Sequence, residues 1–347
     1  MFESHVEQML AVEDLTVPRE PPHAIFLVVE RVRQILAELY GCEIVVIHGE
    51  RIVSLKDNYR RLFFTQDAID ADATTIRLGN DQMLRSHTTA CIPDALSKVP
   101  VDDATHVVVV AGRVFRREVI DVDHSCVPHQ MDIWPIRTSG RVFGSSDLDE
   151  LVDALVYGLL PGVSFQTLNK TQPYNADARE VHVQVDDSSH EILECGVALP
   201  RLLAQAGLPQ TASGLGLGLG LERTVMLMKG IDDIGLLHSA DPRVACQMHD
   251  LKPYVEVPQG LTVRELTVEC DTPMGDRDLG STIRAVLGPS DVLVVAATVP
   301  EVQRVASRYR VRIRLTLRTG DSSTATQDVG TVLDALTIAL ESGSRRA

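Results

Sequence analysis

The stretch Gly214–Arg223, GLGLGLGLER, alternates glycine and leucine without a break before ending in Glu222 and Arg223. A period of two is the signature of a β-strand, so every leucine faces one side of a sheet and every glycine the other. The leucines are then core. Gly214, Gly216, Gly218 and Gly220 leave bare backbone on the opposite face, where a flat ring or another element can approach closely. A dinucleotide reading through GxGxxG is weak. That fingerprint needs a strand, a helix and a distal acid in one βαβ unit early in a domain. The apolar run after Arg223 reads as a helix, and an arginine at that junction can meet a phosphate bidentately.

A second cluster lies at 112–134, GRVFRREVIDVDHSCVPHQMDIW. Arg113, Arg116 and Arg117 leave a strand-like segment, followed by Glu118, Asp121, Asp123, His124, His129, Gln130 and Asp132. Mixed charge on a strand–loop–strand suits a zwitterionic or phosphate-bearing ligand. The plainer alternative is a solvated hairpin whose surface ion pairs are each worth little. A zinc set can be drawn from His124, Cys126 and His129, but its spacing fits none of the usual frames. A third piece, LRSHTTACIP at 84–93, offers Arg85, His87, Thr88 and Thr89 before a proline-ended turn.

Around these segments, residues 24–40 carry apolar side chains at helical spacing, with Gly41 as a C-cap. Valine- and isoleucine-rich pieces at 43–49, 104–118, 180–186 and 191–198 read as strands. Helices are expected at 147–159 and 222–230. Many strands with few βαβ repeats predict an α+β fold, a mostly antiparallel sheet flanked by helices. The proline- and glycine-bearing stretch 251–262 reads as a linker dividing a domain over 1–250 from one over 263–347. In the second, strand 261–269, helix 278–287, strands 291–298 and 308–318 and helix 327–341 suggest a ferredoxin-like module without a clear last strand.

The chain has 347 residues and a net charge of −15. That balance disfavours a basic tail-like nucleic-acid binder, so DNA is not an expected partner. Six cysteines without a CxxC pair, an acidic start and no apolar run of spanning length predict a cytoplasmic protein with no membrane partner.

Taken in order, LRSHTT at 84–89, the 112–132 cluster, and GLGLER at 218–223 with MLMKGIDDI at 226–234 resemble the catalytic core of class II aminoacyl-tRNA synthetases of the phenylalanine type. They match that family's L-R-T-H-T-S segment, its motif 2 and its motif 3. The resemblance implies a class II sheet. It also implies ATP-dependent activation of an amino acid through an aminoacyl-adenylate, followed by transfer to tRNA. By the match, Arg116 holds the α-phosphate and Arg223 the γ-phosphate. Glu118 lies near the adenine, and Gly218 and Gly220 lie under the nucleotide. Gln130 and Asp132 bind the substrate ammonium, the shorter Asp132 standing where the family has glutamate. His87 and Thr89 lie near the substrate carboxyl end. Mg2+ accompanies the phosphates, with Glu191 as candidate ligand.

Departures from the family pattern fall in the side-chain pocket. Its Phe-Pro-Phe run becomes Gln172-Pro173-Tyr174, an alanine position becomes Gly216, and a glycine becomes Glu194. These changes are expected to enlarge the pocket and add hydrogen-bonding groups, so a more polar amino acid than phenylalanine is expected. The plainer outcome is a Glu194 that points to solvent.

The tail resembles the ferredoxin-fold anticodon-binding domain of that family, more weakly. Arg308, Arg310, Arg312, Arg314 and Arg318 share one strand face, which suits RNA backbone binding. The plainer outcome is a face balanced by neighbouring acids. Two further readings stay open: a paralogue that passes the activated amino acid to a carrier protein or small amine, and a non-catalytic RNA-binding paralogue. The oligomeric state is not legible in the sequence.

Overall fold

The computed structural model describes residues 2–258, 260–287, 293–319, 330 and 333–340. The glycine–leucine stretch forms strand Ser213–Gly220, the middle strand of a seven-stranded sheet. Across the sheet the order is Val46–Ile47, Thr105–Arg113, His129–Arg137, Ser213–Gly220, Ser188–Ala198, Asn175–Val185, Ser164–Asn169. Val46–Ile47 pairs in parallel with Thr105–Arg113, and the remaining pairs are antiparallel.

One face of this sheet is the main core. Leu215, Leu217 and Leu219 pack with Met131, Ile133, Leu193, Cys195, Val181 and Val183 beneath three helices. These are Ala24–Tyr40, Ser145–Leu159 and Leu221–Lys229. The first helix buries Ile25, Val28, Val29, Val32, Ile35 and Leu36, the apolar stripe read from sequence, and stops at Gly41 with φ +64°. On the glycine face, Gly214 and Gly216 are covered by Ile136 and Trp134, while Gly218 and Gly220 keep bare backbone. A small sheet of Ile52–Ser54, Gln82–Leu84 and Arg77–Gly79 feeds residues 84–89 onto its rim.

Several bounds differ from the sequence reading. The strand expected over 104–118 ends at Arg113, whose guanidinium turns to the carbonyls of Met9 and Leu10. Beyond it the chain stays extended but is clamped alternately. Val114 and Arg116 bond to Pro128 and Cys126, and Phe115 and Arg117 to Arg85 and Thr74.

The C-terminal part has its own core of Val268, Leu279, Ile283, Val311, Ile313, Leu315, Leu317 and Leu336. Its three strands run Gly260–Cys270, Arg308–Thr319, Val294–Val305 across the sheet, the 1-3-2 order of a ferredoxin-like layout. Helices Asp276–Leu287 and 333–340 belong to it. Residues 291 and 292 of the expected strand, and 327–329, 331–332 and 341 of the expected helix, lie outside the described residues. The first of these strands begins at Gly260, inside the stretch read as linker. Before it, Leu251, Tyr254 and Val257 pack back onto the main core, and the Tyr254 N–H donates to the Lys229 carbonyl at 2.7 Å.

Candidate active site

Strand register decides which side chains share the glycine face. Gly218 stands between Asp132 on one neighbour and Glu194 on the other, Gly216 opposite Gly196, and Gly220 opposite Gln130. Because strands alternate, Gln130, Asp132, Trp134 and Glu194 all rise from that face. They line a cleft of about 450 Å³. The same cleft takes His87, Thr89, Arg116, Glu118, Gln172, Tyr174, Glu191, Gly216, Gly218, Gly220 and Arg223. Residues from distant parts of the chain, read separately in the sequence, thus meet in one place.

The two arginines are each steered by a backbone carbonyl. Arg116 Nε donates to Ser86 O at 2.9 Å, and Arg223 Nη1 to Glu191 O at 3.3 Å. Among the described residues neither lies within 4 Å of a carboxylate, so their remaining donors are available to an anion over the glycine floor. The loop carrying Glu118 is held from behind by the C-terminal part. Arg284 donates to the carbonyls of Glu118 and Val119, Ile120 bridges to Ala297, and Arg117 pairs with Asp278 at 2.9 Å.

Glu222, just before Arg223, is buried and structural. Its carboxylate accepts from the His129 backbone N–H at 2.8 Å and from His129 Nδ1 at 2.6 Å. The other ring nitrogen accepts from the Leu15 N–H at 3.0 Å. Burial pushes the Glu222 carboxyl up, but the His129 contacts outweigh it and hold it below the usual range. This commitment of His129 agrees with setting the zinc set aside, as does His124, which pairs with Asp121 at 2.8 Å.

Asp132 is fully enclosed. Thr88 and Thr89 donate to Oδ2 at 2.5 and 3.2 Å, and Trp134 Nε1 donates to Oδ1 at 3.1 Å. Burial raises its carboxyl to about 6, with those three donors opposing. His87 is partly exposed, but its ring nitrogens are buried. Burial, then the nearby Arg116 charge, lowers its imidazole to about 3, so it stays neutral. Neither ring nitrogen has a partner among the described residues, and the ring stacks on Phe64 with centroids 6.3 Å apart. Trp134, Phe64 and Asn175 were not singled out from sequence. Thr88, named in the 84–93 segment, is the donor that comes nearest to Asp132.

In the side-chain pocket, Glu194 is partly exposed but its carboxylate is held by neighbours. Gln172 Nε2 donates to its Oε2 at 2.7 Å, Asn175 Nδ2 donates to Gln172 Oε1 at 2.8 Å, and Lys170 bridges Glu194 and Glu180. The expected enlargement of the pocket is corrected. A Cβ placed on Gly216 would meet Cη2 and Cζ2 of Trp134, each at 2.8 Å. The volume released by glycine is therefore filled by the indole.

Glu191 belongs to a group with Glu180 and His182 whose ligand atoms lie within 4.8 Å of one another. Burial, then the charges of Glu194 and Glu180, raises its carboxyl above the usual range, a crowding that a bound cation relieves. Two carboxylates suit Mg2+, a hard ion that takes oxygen ligands. The histidine does not add to that fit.

The arginine stripe of the C-terminal sheet faces outward, but it is not a free basic face. Arg308 pairs with Asp271 and Glu269, Arg310 with Glu269, Arg312 with Glu301, and Arg314 with Glu265. Arg318 turns inward to Asp233 at 2.7 Å, its side chain only 9% exposed. The cross-strand register puts these acids beside the arginines, Glu269 opposite Arg310 and Glu265 opposite Arg314. The local excess of positive charge read along one strand is thus offset by its neighbours. Among the described residues no helix is long and apolar enough to cross a membrane.

Residues 12–248 match the family described as tRNA synthetases class II core domain (F). The chain is 30% identical over 214 residues to the phenylalanine--tRNA ligase alpha subunit of Prochlorococcus marinus (strain NATL2A), covering 60% of the chain and 62% of that relative. It is 28% identical over 250 residues to the alpha subunit of a Synechocystis species, covering 69% of the chain and 72% of the relative. The phenylalanine--tRNA ligase, chloroplastic/mitochondrial, of Arabidopsis thaliana is 27% identical over 223 residues, covering 60% of the chain and 51% of that protein. The chain thus spans about three fifths of the length of the first of these relatives. With a central glycine-floored antiparallel sheet and a family match over well more than half its length, the chain belongs to the class II tRNA synthetase core family.

Proposed function

We propose that this protein activates an amino acid with ATP and passes it to tRNA. The observation that carries the reading is that Arg116, Arg223, the bare backbone of Gly218 and Gly220, and the Gln130–Asp132 pair line one cleft. A nucleotide lying on the glycines has Arg116 and Arg223 as its guanidinium partners and Glu118 at its base end. Gln130 and ionised Asp132 take the substrate ammonium. The amino acid carboxylate then attacks the α-phosphorus. The bond from that phosphorus to the bridging oxygen breaks, and pyrophosphate leaves with the electron pair. The chain supplies alignment and charge neutralisation rather than a nucleophile of its own. Mg2+, held by Glu191 with Glu180, would add neutralisation of phosphate charge. In a second step the tRNA 3′-terminal hydroxyl attacks the acyl carbon and AMP leaves.

The pocket polarity extends this reading to an amino acid more polar than phenylalanine. Gln172 stands where the family pattern has an aromatic residue and Glu194 where it has glycine, with Asn175 beside them, and a site built of polar groups rejects apolar analogues because those groups lose their partners. One observation favours a second reading, a carrier protein or small amine as acceptor: the arginine stripe that would hold RNA is already matched by acids.

Incubation with α-labelled ATP and each amino acid, with and without total tRNA, tests both. Labelled adenylate and charged tRNA support the first reading. Adenylate that never charges tRNA supports the second. Absence of adenylate with every amino acid refutes activation.

A further inference from the structure

Trp134 is the single tryptophan of the chain, and it lies at the inner end of the amino-acid pocket. Two residues beyond Asp132 on the same strand, it rises on the same sheet face. It is 1% exposed. Its Nε1 is tied to Asp132 at 3.1 Å, and its ring lies 6.2 Å from Tyr174, centroid to centroid. The missing Cβ of Gly216 lets the indole lie directly on the strand backbone. With the ammonium held at Gln130 and Asp132, and the phosphates toward Arg116 and Arg223, a substrate side chain must extend toward Trp134, Tyr174 and Asn175. The indole occupies the floor of that space. Beside it Asn175, 6% exposed, keeps Oδ1 buried with no partner among the described residues, an acceptor available to a donor on the ligand.

We propose that Trp134 is a specificity-determining residue that closes the pocket to aromatic side chains, so the protein takes an amino acid with a short, donor-bearing side chain. The proposal rests on the activation reading for the orientation of the substrate. The packing supports it independently of chemistry. A buried indole wedged on glycine backbone cannot yield room for a benzyl ring without displacing Tyr174 or the strand, and close-packed interiors resist such shifts.

Calorimetric titration of L-phenylalanine into the full chain, wild type and Trp134→Leu, with a non-hydrolysable ATP analogue present, reads the pocket without requiring catalysis. Wild type is expected to show no phenylalanine binding, and Trp134→Leu to gain affinity by about 10-fold or more. Phenylalanine bound equally by both, or by neither with the variant folded by circular dichroism, overturns the proposal. If Trp134→Leu does not fold, Gly216→Ala decides. Its new methyl must push on the indole and shift the emission of the only tryptophan, and unchanged emission overturns the placement. Amino-acid-dependent exchange in the wild type separates the two claims. Exchange led by an aromatic or long side chain defeats this inference. A phenylalanine-binding gain with no exchange for any amino acid leaves the inference standing and defeats activation.

Discussion

Arg284 of the C-terminal part donates to the carbonyl of Glu118, which lines the candidate site, and Gly280 on the same helix leaves that carbonyl room. A Cβ on Gly280 would sit 2.8 Å from it. The small C-terminal sheet and the candidate adenine end of the cleft are therefore one packed unit rather than two beads on a string.

Replacing Arg284 with methionine keeps the stem but strands two carbonyls, those of Glu118 and Val119. The expected cost is about 1–3 kcal/mol of stability, read by urea denaturation. The loop should also loosen, raising KM for ATP more than it lowers kcat. An unchanged KM with lowered stability restricts Arg284 to a packing role.

Ammonium binding at Asp132 requires the ionised carboxylate, whose proton is lost around pH 6. Protonation on the acid side removes the charge. Affinity for the amino acid should therefore be full above pH 7 and fall about 10-fold per unit well below 6. Asp132→Asn should bind weakly at every pH and lose this dependence. A flat profile in the wild type counts against Asp132 as the ammonium partner.

Glu222 and His129 tie the start of helix Leu221–Lys229 to strand His129–Arg137. Glu222→Ala leaves two buried donors of His129 without acceptors. That should cost about 3 kcal/mol, visible as a lowered denaturation midpoint with an unchanged slope. A loss of activity without a loss of stability would instead assign Glu222 to the chemistry.

Neutralising Arg310 and Arg312 together to glutamine should change tRNA affinity by less than about 3-fold, since exposed pairs already offset both charges. Filter binding at two salt concentrations checks this. A large loss, with a shallower salt dependence, restores the stripe as an RNA face.

Most of the fold was legible because its signals are periodic. The Gly214–Gly220 alternation fixed a strand and both its faces, and the 24–40 stripe fixed a helix. The residues gathered in the cleft could be named one by one from motifs of short span. What the sequence hid depends on contacts between strands. Glu265, Glu269 and Glu301, which pair with Arg308–Arg314, lie on the two flanking strands, and one strand's period of two says nothing of them. The Trp134–Gly216 contact is likewise cross-strand. From sequence, glycine at 216 reads as added space, whereas the indole that consumes it comes from a residue more than eighty positions earlier. Gly280 and Arg284 gave no motif at all, because their role is to meet a loop of another part of the fold.

The central claim is that Arg116 and Arg223 grip one triphosphate over the glycine floor. ATP–pyrophosphate exchange measured with the preferred amino acid, in wild type, Arg116→Ala and Arg223→Ala, tests it most directly. Both side chains make one backbone contact each among those described above, so both variants should fold. Each should lower exchange about 100-fold or more. Exchange at wild-type rates in either folded variant contradicts the account.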